Sequence, residues 1–181
     1  PWYRRLEWYP WVKKIPNPPG HPFNGLDNFQ GEFDWGVLPG QGDDDYGDAK
    51  AVDFAVDFLK KKHEKPFFLA VGLWHPHIPM FAPQKYFDMY PKERVRIPEV
   101  PENDLDDVPP MGQKFAAARR EEHERIVKEG KWGEAVQAYL AAISYADMLV
   151  GRVMDALAQY AHAGNTLLVF WSGNGSHLGE K

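Results

Sequence analysis

The apolar positions of this chain fall into runs with different periods. From Asp48 onward, Val52, Ala55, Val56 and Leu59 recur at helical spacing, and Phe54 and Phe58 widen the face. Asp48 stands where an N-cap belongs, and Lys60, Lys61 and Lys62 follow where cations suit the helix dipole. Residues 66–72 are short, continuously apolar and bounded by Pro66 and Gly72, the pattern of a strand buried on both faces. A short helix is predicted over 84–89, a charged and exposed one over 113–129, and a longer one over 133–160. In the last, Val136, Leu140, Ile143, Val150, Val153 and Leu157 form a stripe that Asp147 interrupts. Gly164 and Asn165 stop it. Residues 167–171 read as a second buried strand, turned sharply by Ser172, Gly173, Asn174 and Gly175.

The remaining stretches are irregular. Residues 1–47 carry Pro1, Pro10, Pro16, Pro18, Pro19 and Pro22, which exclude long helix, and they hold Trp2, Tyr3, Trp8, Tyr9, Trp11, Phe23, Phe29, Phe33 and Trp35, which need cover. The chain is therefore divided into an aromatic, proline-rich arm (1–47) and an α/β domain (48–181). Residues 91–110 are proline-rich and read as an extended connection. Two strands joined by a long helical connection point to parallel pairing in one α/β sheet, whose ligands bind beyond the carboxyl ends of the strands. The polar motifs at 75–77 and 172–177 each follow a strand, so one sheet edge is expected to bring them together.

Composition narrows the function without naming it. Hydrophobic residues make up 44% and charged residues 26%, so a globular protein is expected rather than a disordered one. The net charge of −5 disfavours a nucleic-acid surface. No run reaches the ~20 apolar residues of a membrane-spanning helix, and none reads as a signal peptide. The absence of cysteine removes disulfides, thiolate metal sites and a cysteine nucleophile from this chain. A start at Pro1 and a stop at Lys181 lead us to expect an internal piece of a longer protein.

The candidate chemistry lies in the two loops. His75 and His77 flank Pro76, and in an extended loop both imidazoles would face one ligand, a metal or an anion. The alternative is that they bond loop carbonyls. Asn174 offers a carbonyl oxygen suited to a hard cation, although Asn beside Gly is also ordinary turn chemistry, and His177 stands under the same alternatives. The acidic runs at 43–45 and 104–107 lack the spacing of an EF-hand and read as solvated loops. Asp147 could be catalytic, but it reads better as a cap or as a partner of a neighbouring loop or of Arg152.

Five ordered blocks together resemble the sulfatase family, in the branch of iduronate-2-sulfatase and choline-sulfatase-like enzymes. They are residues 65–79, 82–91, 102–109, 139–152 and 165–181. The resemblance implies part of an alkaline-phosphatase-type α/β sandwich with a mostly parallel central sheet, and metal-assisted hydrolysis of a sulfate ester by a formylglycine nucleophile. It implies a calcium cofactor, a sulfated small molecule or sugar as substrate, and a periplasmic, secreted or lysosomal location. By position, His77 matches the family histidine that contacts sulfate and Asn174 matches a metal ligand; His75 and His177 are further candidate substrate contacts. The chain also departs from the pattern. Gly173 replaces the usual metal-binding Asp, Ser176 a usual Trp, and His75 a frequent Lys or Arg. No Cys/Ser-x-Pro-x-Arg motif occurs, so this chain alone is expected to be inactive. Alternatives are a phosphoesterase of the same superfold and a non-catalytic binding or regulatory paralogue.

Overall fold

In the computed structural model, residues 20–26, 33–160, 162–173 and 175–179 are described. The first nineteen residues, with Trp2, Tyr3, Trp8, Tyr9 and Trp11, lie outside them, as do Phe29 and Asn174. The order is β1 (Trp35–Gly36), α1 (Gly47–Leu59), β2 (Met80–Phe81), α2 (Gln84–Asp88), a 3-10 turn (Lys92–Arg94), α3 (Pro110–Lys128) and α4 (Trp132–Gln159). All four helices fall where the apolar pattern predicts them, with ends shifted by a few residues.

The sheet does not. Its two strands pair in parallel, Trp35 opposite Met80 and Gly36 opposite Phe81. One strand therefore comes from the arm, and the other from the residues after the His75–His77 loop. Trp35, Leu38 and Tyr46 of the arm enter the same core as α1 and α4. Asp34 organises this crossing. Its buried carboxylate accepts the main-chain N–H groups of Phe23 (2.9 Å), Asn24 (2.8 Å) and Trp35 (2.8 Å).

Residues 66–72 and 167–171 are extended, but they join no ladder among the described residues. Phe68 is 91% exposed, Leu167 89% and Trp171 72%. A strand buried on both faces needs neighbours on both edges and layers on both sides. Neither is supplied by the described residues, so the apolar pattern is present without the burial it calls for.

Helix α4 shows the same split. Its buried face is an alanine stripe, Ala135, Ala138, Ala141 and Ala142, joined by the larger Tyr145 and Leu149 and set against α1 and α2. Of the larger stripe foreseen from sequence, Val136 is buried, whereas Ile143, Val150, Val153 and Leu157 line an open cleft. Alanine lets helices approach closely, which is why the small face takes the interhelical contact. Helix α1 buries Ala49, Val52, Ala55 and Leu59 against α4, but Phe54, expected to widen that face, is 41% exposed and Phe58 only half-buried.

The acidic turn at 43–45 is exposed at Asp44 and Asp45, as expected, and it is also tied down. Lys85 pairs with Asp43, Arg152 with Asp44 and Asp53, and the Tyr145 hydroxyl donates to the Asp43 carbonyl (2.7 Å). Arg152 thus turns to α1 and this turn, and Asp147 is exposed on the cleft side. Burial pushes the Tyr145 hydroxyl pKa far up, with the nearby Asp48 carboxylate adding to it, so the group remains a donor at any ordinary pH.

Candidate active site

The loop that carries His75 and His77 leaves the extended segment 66–73 and returns into β2. Its entry is held by Asp48. That residue is fully buried in the first turn of α1, yet it does not cap the helix: the N-cap position is Tyr46, without a side-chain cap bond. The Asp48 carboxylate points across to the loop. It accepts the Trp74 N–H (3.0 and 2.9 Å), the His75 N–H (2.9 Å) and His75 Nδ1–H (2.6 Å). The other ring nitrogen, His75 Nε2, lies 2.8 Å from the Phe81 carbonyl. Tyr145 meets the imidazole edge-on at 4.9 Å and Tyr46 at 5.9 Å.

His75 is therefore an internal bridge from α1 to β2. It is buried, whereas His77 is exposed. The expectation that both imidazoles face one ligand assumed an extended loop. The loop instead closes a turn, with the His77 N–H donating to the Trp74 carbonyl (2.9 Å), and this sends the two rings apart. His77 Nδ1 stands 2.7 Å from its neighbour's carbonyl, Ile78 O, which also accepts the Trp74 indole N–H (3.1 Å). The Trp74 and His77 rings pack at 4.3 Å. In the neutral ring the proton belongs on Nδ1, and Nε2 carries the lone pair.

The second polar loop is anchored from the other side. The Trp132 indole N–H donates to the Leu178 carbonyl (2.6 Å), and His123 packs edge-on against Trp132 at 4.9 Å. Gly179 has φ +134°, and a Cβ there would lie 2.5 Å from Trp132 and 2.8 Å from His123. His177 is exposed two residues earlier. Both His77 and His177 line one open cleft of about 2010 Å³, together with Asp147. Both motifs open onto this cleft, but the sheet edge expected to bring them together does not form among the described residues.

That cleft is larger than the ~300–1,000 Å³ of a small-molecule pocket, and much of its wall is apolar. Most of it is the uncovered side of α4 and of the two extended segments. The polar rim at 75–77 and 172–177 is the part with chemistry to offer.

The family model for sulfatases matches residues 2–181. The chain belongs to the sulfatase family. A sulfatase of Formosa agariphila is 41% identical over 149 residues, covering 82% of this chain and 29% of its own length. Human iduronate 2-sulfatase is 32% identical over 148 residues, 74% of this chain and 26% of that protein. A choline-sulfatase of Rhizobium meliloti is 32% identical over 117 residues, 65% of this chain and 23% of its own length. The chain thus spans less than a third of the curated relatives it matches. Membership carries the alkaline-phosphatase-type α/β fold, of which the described residues form helices and one short parallel strand pair.

The metal that the sulfatase resemblance implies finds little here. Among the described residues no group of three or more His, Asp or Glu side chains converges to hold an ion. Gly173 contributes no ligand, and the Asn174 position lies outside the described residues. The described donor set does not fit calcium. Also among the described residues, no helix is long and apolar enough to cross a membrane.

Sequence reasoning missed Asp48 and Asp34. The pattern reads Asp48 as a cap, because spacing reports position along a helix and not the direction of a carboxylate.

Proposed function

We propose that this sulfatase-family chain is the part of a sulfuric ester hydrolase that presents His77 to the substrate sulfate. The observation that carries the reading is the placement of His77: exposed on the cleft rim, with its Nδ1 committed to Ile78 O. A ring so oriented uses Nε2 toward an anionic ester, accepting a proton when neutral and donating one when protonated. His177, on the same rim, is a second substrate contact. His75 takes no direct part, since its ring is occupied internally.

The substrate is a sulfated small molecule or sugar. The nucleophile would be a formylglycine in a longer protein, because this chain has no cysteine and no Ser-x-Pro-x-Arg run. Calcium likewise would take Asn174 and further ligands from such a protein. By itself the 181-residue chain is expected to be without turnover.

The test uses the longer enzyme encoded with this segment and an aryl sulfate. His77→Ala is expected to lower kcat by about 100- to 10,000-fold, the range for loss of a group that moves a proton or holds developing charge. Unchanged turnover in a folded His77→Ala enzyme would overturn the reading. Gly173 gives a second test. A Cβ there meets nothing within 4 Å, so Gly173→Asp is expected to be tolerated. In the longer enzyme it is expected to tighten calcium binding, measured by calorimetry.

A further inference from the structure

The contacts around Asp48 form one continuous path to His77. The carboxylate fixes the Trp74 backbone through its N–H. The Trp74 indole fixes the Ile78 carbonyl. That carbonyl takes the Nδ1 proton of His77, whose ring lies against the same indole. On a second branch, Asp48 holds His75, and His75 holds the carbonyl of Phe81 at the far end of the loop. Both ends of the loop are thereby clamped to one buried carboxylate at the start of α1, where the helix dipole favours a negative charge.

We propose that Asp48 and His75 are positioning residues for His77: the buried pair sets the conformation of the loop and so the tautomer that His77 offers to a ligand. Each nitrogen of His75 has an oxygen within hydrogen-bond distance, Asp48 Oδ2 on one side and the Phe81 carbonyl on the other, so the ring ties the two together. A neutral side chain at 48 removes the carboxylate charge and turns an amide N–H₂ toward main-chain donors. The consequence for turnover rests on the reading of His77 given above; the loop geometry does not.

The experiment is long-range ¹⁵N–¹H correlation of the histidine rings in the full 181-residue chain, at a pH where exposed imidazole is neutral. In the wild type, His77 is expected to show protonated Nδ1 and a lone-pair-type Nε2. In Asp48→Asn, with helical signals retained, it is expected to relax to the Nε2–H form that free imidazole prefers. A folded Asp48→Asn chain with the wild-type His77 signature would overturn the proposal, as would a wild type already showing the free-imidazole pattern. If Asp48→Asn does not fold, His75→Gln and His75→Lys decide. The lysine places a charged donor beside Asp48 and is expected to keep the signature, while glutamine loses it; equal behaviour of the two overturns the proposal. Turnover separates the two readings. If the tautomer shifts as expected but His77→Ala leaves the longer enzyme fully active, the positioning stands and the sulfate-contact role falls.

Discussion

Single residues in this chain hold loops more than they fill space. Gly179 is one case. Its φ of +134° disfavours any side chain, and a Cβ would press into Trp132 and His123. Gly179→Ala is expected to cost about 1–3 kcal/mol through strain and to break the Trp132–Leu178 bond, read as a red shift of tryptophan emission and a lower melting temperature. Tyr145 is another. Removing its hydroxyl in Tyr145→Phe leaves the Asp43 carbonyl without that donor, and about 0.5–1.5 kcal/mol of stability is expected to go with it in urea titration. Glu134 ties Lys92 and Lys131 to the start of α4. Burial pushes its carboxyl up, but hydrogen bonds from the two lysines outweigh this and hold it below the ordinary 4.5. A depressed carboxylate stabilises above the unfolded value and loses that contribution as pH falls through the folded one. Solvent screens these pairs, so Glu134→Gln is expected to cost no more than about 1 kcal/mol at neutral pH. That gap should close as the pH drops below 4.5, as read from melting temperatures.

At the scale of elements, the telling case is α4. A helix apolar on more than one face is built to be buried on more than one face. Its alanine stripe is already used, against α1 and α2, and Leu149 is fully buried there. Leu149→Ala is therefore expected to cost about 2–5 kcal/mol in urea unfolding. Ile143, 40% exposed on the cleft side, should lose far less on the same truncation in this chain. In a longer protein that covers the cleft, the Ile143 cost should rise toward that of Leu149. The small helix α2 buries Tyr86 and Phe87 in the core, and just past its end Gln137 donates to the carbonyl of Tyr90 (2.7 Å) and the Tyr90 hydroxyl meets Ser144 (2.7 Å).

Across the whole molecule the decisive quantity is uncovered apolar surface. Phe68, Leu167, Phe170 and Trp171 stand largely in solvent. At about 1.5–3 kcal/mol each, their burial would be worth roughly 6–12 kcal/mol, comparable with the whole stability of a typical domain. Extended segments with open edges also invite pairing with other chains. The 181-residue chain is thus expected to self-associate with rising concentration, seen by small-angle scattering. Replacing Phe68 and Phe170 by serine together should reduce that association without loss of helical signal.

The sequence by itself determined the helices, the loop positions of His77 and His177, and the family. Helical period, proline placement and motif order are local properties, and each survives in a chain that spans part of its relatives. It could not determine which apolar runs would pair. The strands at 66–72 and 167–171 were legible as patterns, but a ladder requires a partner edge, and among the described residues the pair forms instead between Trp35–Gly36 and Met80–Phe81. Nor could it separate His75 from His77, two residues apart and alike in type. Only the tertiary structure decided that: a turn closed by Trp74 and a buried carboxylate from α1 draw one ring into the core and leave the other on the rim, because a buried imidazole must satisfy both nitrogens and Asp48 and Phe81 are there to do it.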